Sequence, residues 1–372
     1  MRVGLVIYGT LDTVSGGYLY DRQLVAFLRG QGHTVEIVSL PWRSYPEHLA
    51  DNNDPALRRR LAALEVDVLL QDELNHPSLA YLNPRLRDHG IRYPILSIVH
   101  HLRSEEDHPA TVMPVYRSVE TSYVNSVDGF IFNSGTTQET VTRLLDAPRP
   151  GIVVYPAADH IAPPDAATVR SLIAARGQEE RPLRLIAVGN LIDRKGIHDI
   201  IAALAALPRG AFTLDVIGNA DVDPAYTAAL RAAITAHSLG GAVTLHGALS
   251  HEEIGRRLAA ADLFVLPSYE GFGIVYLEAM AHGLPVIAST AGAAHEIVTP
   301  GVDGFLVAPG AVDELAARLA HVRAMSPAAR RDLSQAARAR YDQQPTWQMS
   351  MARASAWLHE FLATWNPGAS AP

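Results

Sequence analysis

The sequence lacks cysteine and contains a single lysine, Lys195, among 31 basic residues. Without cysteine the chain can form no disulfide bond, no thiolate nucleophile and no zinc site with sulfur ligands. Because arginine fills every other basic position, the remaining lysine marks a place where a compact, flexible ammonium group serves and a planar guanidinium does not. Lys195 is therefore a candidate functional residue.

Two further absences limit the function. The formal net charge of −8 leaves no basic excess, which argues against a general nucleic-acid-binding protein. No apolar run is long enough to cross a bilayer, and the apolar run at Val3–Ile7 is too short for a signal peptide. We expect a cytoplasmic protein, and peripheral contact with a membrane surface is compatible with that expectation.

Short β-branched segments alternate with helical patterns along the whole chain. This alternation predicts parallel sheets built from βαβ units, and 372 residues suit two domains. Helices are expected between the strands, for example at Tyr18–Arg29 and Gly135–Leu145. The predicted strands are Val3–Ile7, Thr34–Ser39, Val66–Leu70, Ile95–Val99, Gly129–Phe132 and Ile152–Tyr155, followed by Leu183–Val188, Phe212–Ile217, Val243–His246, Leu263–Leu266, Pro285–Ala288 and Phe305–Val307.

The periodicity stops at Pro156–Pro164, a proline-bearing stretch that indicates an interdomain linker. We predict an N-terminal domain over residues 1–160 and a C-terminal domain over residues 165–344. A helix over about residues 345–372 carries enough apolar surface to need a partner, and we expect it to pack on the N-terminal domain. The predicted fold class is α/β, with two doubly wound Rossmann-like domains that face each other across a cleft.

The glycine spacing excludes a dinucleotide-dependent oxidoreductase. Such an enzyme needs Gly-x-Gly-x-x-Gly directly after a first strand, and neither half of the chain has it. The first strand is followed by a longer loop that ends in Gly16 and Gly17 before a helix. Backbone N–H groups at that helix start can bind a diphosphate, and ordinary loop closure is the alternative.

The segment Pro267–Met280 contains two glutamates, one in a predicted loop and one in a predicted helix. Glu270 lies in a loop, and Glu278 lies about one turn inside a helix that begins near Ile274. Gly271 and Gly273 allow the backbone to approach a ligand closely. Helix capping by Glu270 and an exposed Glu278 would be the structural alternative. The apolar neighbours of Glu278 instead predict a buried carboxylate, which needs partners.

This segment, Pro-Ser-Tyr-Glu-Gly-Phe-Gly-x4-Glu-Ala-Met-Ala, resembles the signature of the family-four retaining glycosyltransferases, also described as glycosyl transferases group 1. The loop Gly189–Gly196 resembles the phosphate-binding loop of that family. The resemblance covers nearly all of residues 183–325. It is weaker over residues 1–165, where the glycine pair, a strand-end histidine and Ile131–Ser134 carry it. The resemblance implies the GT-B fold and a nucleoside-diphosphate sugar as donor.

The resemblance also implies roles for individual residues. Glu278 would bind the ribose hydroxyls and Glu270 the hydroxyls of the donor sugar, while Arg194 and Lys195 would clamp the diphosphate. Cations fixed at that place favour the transition state, because bond cleavage leaves negative charge on the β-phosphate. A strand-end histidine would contact the donor sugar, with His100 in better register than His101. The remaining donor-binding candidates are Gly16, Gly17, Gly189, Gly271, Phe272, Gly273 and Ile274.

The acceptor site is expected in the N-terminal domain. Polar residues follow its third strand and lie in its first loop, and the candidates are Asp12, Asp72, Glu73 and His76. They suit a small-molecule, glycan or lipid acceptor. Leu57–Leu64 forms a short basic amphipathic patch that could touch anionic lipid, and a solvated helix face is the alternative.

No metal and no cofactor are expected. Asp221-Val222-Asp223 spells the Asp-x-Asp motif that holds a divalent metal in the other large glycosyltransferase fold. Here Asp223 precedes Pro224, which favours a helix cap. The spacing of His100, His101 and His108 does not favour a metal site either.

The sequence thus predicts a metal-independent, retaining glycosyltransferase that moves a sugar to an acceptor hydroxyl. A nucleotide-sugar epimerase of the same architecture is one alternative, which would act without acceptor. A non-catalytic sugar-nucleotide-binding subunit is another. Such subunits usually lose the clamp residues, and Arg194, Lys195, Glu270 and Glu278 are all present here.

Overall fold

The computed structural model describes residues 1–176 and 181–366. The chain divides into two compact units. The N-terminal unit consists of residues 1–156 and the chain from Trp347 onward, and the C-terminal unit consists of residues 157–346. The change from the first unit to the second therefore falls at Pro156, at the start of the proline-bearing stretch.

The N-terminal unit is built on a six-stranded parallel sheet with strand order 2-1-3-4-5-6. The central strands are buried on both faces, as a sheet covered by helices on both sides requires. Its strands are β1 (Arg2–Tyr8), β2 (Thr34–Leu40), β3 (Val68–Asp72), β4 (Ile95–Val99), β5 (Gly129–Phe132) and β6 (Gly151–Val153).

Seven helices of this unit lie between or beside these strands. Helix α1 begins after Ser15, whose hydroxyl accepts a hydrogen bond from the Tyr18 N–H at 3.2 Å, and it buries Tyr20, Leu24 and Leu28 on one stripe. The helices are α1 (Gly16–Gly30), α2 (Tyr45–Asp51), α3 (Pro55–Ala62), α4 (His76–Leu79), α5 (Leu82–Asp88), α6 (Met113–Val124) and α7 (Gly135–Thr142).

Helix α3 contains the basic amphipathic patch. Its Leu57 and Leu61 belong to the hydrophobic core, whereas Arg59 and Arg60 are exposed. The apolar side of the patch is therefore occupied by the core of its own unit, and the arginines form a solvated helix face. Within residues 1–176 and 181–366, no helix has both the length and the apolar character needed to span a membrane.

The C-terminal unit has a second six-stranded parallel sheet, with strand order 12-11-10-7-8-9. Its strands are β7 (Leu183–Val188), β8 (Phe212–Ile217), β9 (Val243–Leu245), β10 (Leu263–Val265), β11 (Val286–Ser289) and β12 (Gly304–Val307). Its helices are α8 (Ala166–Ala175), α9 (Ile197–Ala205), α10 (Pro224–Ala236), α11 (His251–Ala260), α12 (Ile274–Ala281), α13 (Val312–Ala324) and α14 (Pro327–Asp342).

The last helix, α15 (Trp347–Thr364), belongs to the N-terminal unit and packs on α1. The Trp347 ring meets the Tyr20 ring edge-on with centroids 5.9 Å apart, and the Ser350 hydroxyl donates to the Tyr155 carbonyl at 2.7 Å. Trp347 and Phe361 are buried in this contact. The aromatic residues near the C-terminal end of the sequence thus complete the core of the first unit.

The two-domain Rossmann-like prediction is confirmed, and each predicted strand is present. Most strand ends agree within one residue. Two strands differ by two residues: β6 ends at Val153 and not at Tyr155, and β3 runs over Val68–Asp72 and not over Val66–Leu70. The sequence suggested an earlier end since Gln71 and Asp72 are polar, but Gln71 is fully buried and exchanges hydrogen bonds with Asn83 at 2.9 and 3.0 Å.

Candidate active site

The loop after β7 places the single lysine at the carboxyl end of the sheet. Asp193–Lys195 forms one 3₁₀ turn, which ends at Gly196 in a left-handed conformation with φ of 63°. The Lys195 side chain then passes over Gly189, where an added Cβ would lie 3.3 Å from Lys195 Cε. Glycine at position 189 therefore leaves room for the lysine stem.

Lys195 and Glu270 form a largely buried ion pair. The Lys195 ammonium donates to Glu270 Oε1, and the Ser268 hydroxyl donates to the same oxygen at 2.6 Å. Their side chains are only 12% and 15% exposed. Burial alone would raise the pKa of Glu270, but the charges of Lys195 and Arg194 outweigh it, so that the pKa lies below its usual value. Glu270 is therefore an anion with a fixed orientation.

Arg194 lies beside this pair and supports the same loop. One of its guanidinium N–H groups donates to the Tyr269 carbonyl at 2.6 Å. The sequence assigned Arg194, Lys195 and Glu270 to different parts of a ligand. The structure brings all three together in one connected group.

The main chain of Glu270 is held from the other side by the loop after β11. The Ala293 N–H donates to the Glu270 carbonyl at 2.9 Å. Gly292 has φ of 75°, and a Cβ there would lie 2.2 Å from the Glu270 carbonyl oxygen. Glycine at 292 is thus required for this contact.

Gly273 and Tyr276 shape the start of α12. Gly273 has φ of 102°, and an added Cβ would lie 2.4 Å from the Tyr276 ring. The Tyr276 hydroxyl donates to the Leu266 carbonyl at 3.0 Å and so ties the helix to the end of β10. Gly273 was predicted to allow close approach of a ligand, and the structure shows that it is needed first for the internal packing of Tyr276.

Glu278 is buried, as its apolar neighbours predict, and its partner is His160. Glu278 Oε1 lies 3.1 Å from His160 Nε2, and each side chain is 8% exposed. The His160 ring also meets the His251 ring edge-on at 5.3 Å. Sequence reasoning missed His160, because it lies in the proline-bearing stretch and matches no motif or periodicity.

In the N-terminal unit, the glycine pair at the start of α1 lies against His100. A Cβ on Gly17 would come within 2.9 Å of His100 Cδ2. The backbone of His100 is fixed by Asn133, whose amide donates to the His100 carbonyl at 2.7 Å. His101 instead contacts Glu106 at 3.0 Å. Of the two histidines, His100 is the one that faces the glycine pair.

The acceptor candidates differ sharply in exposure. Asp12 is exposed, whereas Asp72, Glu73 and His76 are at most 4% exposed. Burial raises the pKa of Asp72 to about 8, with a further contribution from the Asp21 charge. Burial also raises the pKa of Glu73 to about 7 and lowers that of His76 to about 4. The three buried residues therefore form a polar interior and not an exposed binding surface.

Two more residues join this interior and were missed. Glu120 of α6 is buried, accepts from the Ser104 N–H at 3.2 and 3.3 Å, and has its pKa raised to about 7 by burial. The Tyr45 hydroxyl lies 3.2 Å from His76 Nε2. We name Glu73, His76 and Glu120 the buried acid group. Glu73 and His76 are neighbours in sequence, whereas Glu120 comes from α6, and no local sequence pattern could have connected it to them.

Possible metal ligands occur in two places in the described part of the N-terminal unit. Ligand-type atoms lie within 4.8 Å of one another in the buried acid group, and also in Asp21, Asp72 and His100. Such spacing alone does not make a metal site.

The Asp221–Asp223 motif is a helix cap. The Asp223 carboxylate accepts from the Tyr226 N–H at 2.9 Å at the start of α10, and the Asn219 side chain accepts from the Asp221 N–H at 2.9 Å. Asp223 is therefore the helix cap that the following Pro224 indicated. Metal independence itself stays a prediction.

Known proteins resemble this chain in sequence and in fold. Residues 170–340 match the model of the family described as Glycosyl transferases group 1. The chain is 35% identical over 245 residues to a glycogen synthase of Mycobacterium tuberculosis, and the match covers 65% of this chain and 56% of that protein. The chain therefore spans little more than half the length of that relative.

Two solved structures resemble the whole chain. Sucrose-phosphate synthase from Thermosynechococcus elongatus has a TM-score of 0.80 at 22% identity, covering 98% of this chain and 100% of the other. Anabaena HepE in complex with UDP-glucose has a TM-score of 0.75 at 20% identity, covering 97% and 100%. At these identities the likeness concerns the fold. The whole chain therefore has the two-domain, Rossmann-like GT-B fold, and its residues 170–340 match the glycosyl transferases of group 1.

Proposed function

We propose that this protein is a retaining glycosyltransferase, which moves a sugar from a nucleoside-diphosphate sugar to the hydroxyl of a small-molecule, glycan or lipid acceptor. The observation that carries the proposal is the Lys195–Glu270 ion pair at the carboxyl end of the second sheet. It joins a cation for the leaving phosphate to a carboxylate for the sugar hydroxyls. The solved HepE complex with UDP-glucose is of the same fold, which supports this class of donor.

In the C-terminal unit, different residues would bind the ribose, the transferred sugar and the diphosphate of the donor. Glu278, oriented by His160, accepts hydrogen bonds from the ribose hydroxyls. Glu270 accepts from hydroxyls of the transferred sugar. Backbone N–H groups of Gly189 and of the segment 271–274 contact the sugar and the diphosphate.

Lys195 can serve the phosphate without leaving Glu270. An ammonium group has three N–H donors, and the contact with Glu270 occupies one of them. The others are available to a phosphate oxygen, and the Arg194 guanidinium beside it supplies a second cation. Both charges are already oriented before the glycosidic bond breaks, and therefore they favour the transition state more than the ground state.

The same contacts argue against a covalent glycosyl-enzyme formed on Glu270. Its Oε1 accepts from both Lys195 and Ser268, which lowers its nucleophilicity. We infer a front-side substitution in which the departing phosphate and the incoming hydroxyl lie on the same face of the sugar. No divalent metal is required, because arginine and lysine neutralise the leaving group.

In the N-terminal unit, His100, Gly16 and Gly17 remain the donor-binding candidates. Asp12, the exposed member of the acceptor candidates, is the residue best placed to touch the acceptor directly. Asp72, Glu73 and His76 would then support that surface from below.

A panel of uridine, guanosine and adenosine diphosphate sugars tests this function. We expect one donor class to raise the melting temperature and to be hydrolysed slowly without acceptor, and Glu278→Ala to abolish both effects. Appearance of an epimerised sugar nucleotide without acceptor would establish the epimerase instead. Thermal shifts without hydrolysis or transfer for any donor would leave a non-catalytic binding protein.

A further inference from the structure

Helix α1 holds the His100 ring with two residues one turn apart. Gly17 and Asp21 are at positions i and i+4, which lie on the same face of a helix. Gly17 lies against the Cδ2 edge of the ring, and Asp21 Oδ1 lies 3.4 Å from His100 Nε2. Tyr20 adds an edge-on ring contact with centroids 5.3 Å apart. One short stretch of helix therefore fixes both the place and the rotation of the imidazole.

The contact between Asp21 and His100 is buried. Asp21 is fully buried, and neither its carboxylate oxygens nor His100 Nε2 forms a hydrogen bond within the described residues. A buried carboxylate without hydrogen bonds is costly unless an opposite charge lies close by. In the described part of the chain, His100 Nε2 is the basic nitrogen within 4 Å of Asp21, and the two form an ion pair when the imidazole is protonated.

The neighbouring acids complete the charge balance. Asp72 and Glu73 face His100 from the end of β3, and Tyr18 and Tyr20 lie nearby on α1. Burial lowers the pKa of His100, but the closeness of Asp21, Asp72 and Glu73 outweighs it and raises the pKa above its ordinary value. Asp72 keeps its proton, because burial and the Asp21 charge raise its pKa to about 8. Three carboxyl groups, those of Asp21, Asp72 and Glu73, thus surround one imidazole.

The ring also has a free side. His100 is 13% exposed, and its Nε2 is buried against Asp21. The accessible part of the ring therefore lies away from Nε2, and Nδ1 is the remaining nitrogen. In an imidazolium both nitrogens are donors, so that Nδ1 would donate to a substrate oxygen.

We propose that Asp21 is a positioning residue that keeps His100 charged, with Nε2 turned inward and Nδ1 directed to a substrate oxygen. This inference rests on the proposed function of His100 in donor binding. Asp21 itself touches no substrate, and its contribution is made through the imidazole.

The test compares Asp21→Asn with the wild type by titration of the His100 ring in NMR spectra, assigned with His100→Gln. The variant keeps the size of the side chain and removes its charge. We expect the His100 pKa to fall by at least about one unit, since the counter-charge is lost. The pH at which turnover declines on the alkaline side should fall by the same amount, because the charged ring is the active form.

Asp51→Asn is the matched control. Asp51 is another buried carboxylate of the same unit, and it lies 3.5 Å from a different imidazole, that of His48. This variant should leave both the His100 titration and the pH profile of turnover unchanged.

An unchanged His100 titration in Asp21→Asn would overturn the proposal, even if turnover fell, because the effect would then be structural only. If Asp21→Asn did not fold, the titration of His100 in the wild type would test the proposal alone. A His100 pKa below about 6.5 would contradict a charged ring. The titration needs no donor or acceptor. A failure of the proposed glycosyltransferase function would therefore leave this test intact, and the two failures are distinguishable.

Discussion

The two units use buried carboxylates in opposite ways. In the C-terminal unit, Glu270 is paired with Lys195 and Glu278 with His160. In the N-terminal unit, no lysine or arginine nitrogen among the described residues lies within 4 Å of a carboxylate oxygen of Asp72, Glu73 or Glu120. Those three acids instead have pKa values raised to about 8, 7 and 7.

The difference shows that the partner, and not the residue type, sets the state of a buried acid. A cation keeps Glu270 ionised and ready to accept hydrogen bonds, whereas burial raises the pKa values of Asp72, Glu73 and Glu120 in the N-terminal unit. The first arrangement suits recognition of hydroxyls next to a phosphate. The second suits a polar interior whose charge depends on pH.

The largest effect should follow from loss of the cation at position 195. Loss of a preorganised charge at a developing oxyanion costs about 3 kcal/mol, or on the order of a hundredfold in rate. We expect Lys195→Ala to lower turnover by at least that factor at saturating donor. Lys195→Arg should also lose most of the wild-type turnover. Its planar guanidinium is wider than the lysine side chain that packs over Gly189.

Arg256→Lys is the control for this comparison. Arg256 lies on α11 with 66% of its side chain exposed, so that lysine should serve there without loss of turnover. Retention of more than about a tenth of the wild-type turnover by Lys195→Ala would contradict the clamp role. The lone lysine would then be an accident of composition.

A smaller effect should separate the two carboxylates of the C-terminal unit. Glu278→Ala removes hydrogen bonds to ribose from a charged acceptor, worth about 1.5–3 kcal/mol, and should weaken nucleoside-diphosphate binding about tenfold or more. His160→Ala should weaken it in the same direction but less. Glu270→Ala should leave this affinity nearly intact while lowering turnover, since it also releases Lys195 to the phosphate. Calorimetry on the three variants measures this, and equal affinities for Glu270→Ala and Glu278→Ala would remove the division of roles.

The sequence predicted the C-terminal site much better than the N-terminal one. Gly189–Gly196 and Pro267–Met280 are continuous segments, so that strand ends, glycines and carboxylates could be placed by local pattern. The contacts of His160 with Glu278 and of Asp21 with His100 join residues 118 and 79 positions apart. Such pairs arise from tertiary packing, which periodicity does not describe.

The strand predictions show the same contrast between local sequence pattern and tertiary packing. Their number, order of appearance and approximate ends follow from β-branched runs bounded by turns. The end of β3 does not, because burial of Gln71 depends on Asn83 from a different element. Burial of Asp72, Glu73 and His76 was not predicted for the same reason, and their role as acceptor contacts stays a prediction.

The proton-holding acids predict that the stability of the N-terminal unit falls as pH rises from about 4.5 to 8. In this range the folded unit keeps protons on Asp72, Glu73 and Glu120 that the unfolded chain has already released. The loss amounts to up to about 1.4 kcal/mol per pH unit for each group and ends once pH exceeds the folded pKa values. His76, with its pKa lowered to about 4, opposes this trend only below about pH 6.5.

Urea unfolding followed by tryptophan fluorescence reports on this unit alone. The four tryptophans, Trp42, Trp347, Trp357 and Trp365, all belong to it. Glu120→Gln should flatten the decline, since one titrating group is removed. An unfolding free energy that is constant or rises over this pH range would show that these acids are ionised in the folded state.

The smallest expected effect is that of metal removal. If arginine and lysine neutralise the leaving phosphate in the C-terminal unit, and protons neutralise the acids in the N-terminal unit, neither unit needs a divalent cation. Activity in excess EDTA should then stay close to the untreated value. Asp223→Ala should cost about 1 kcal/mol of stability through the lost helix cap and leave activity unchanged.

A complete loss of activity in EDTA, restored by manganese or magnesium, would contradict the view that neither unit needs a divalent cation. Two variants would then show where the metal binds. Loss of the restored activity in Asp223→Ala would make the Asp221–Asp223 motif a ligand site in addition to a cap. Loss in Glu120→Gln, with Asp223→Ala unaffected, would assign the cation to the buried acid group, where Glu73, His76 and Glu120 already approach within 4.8 Å. In that case the carboxyls would release their protons on metal binding, and the metal affinity should rise steeply between pH 6 and 8, because ligands must be deprotonated to bind. Insensitivity to EDTA combined with the predicted fall in stability over the same pH range would instead leave protons as the counter-charge of the N-terminal unit.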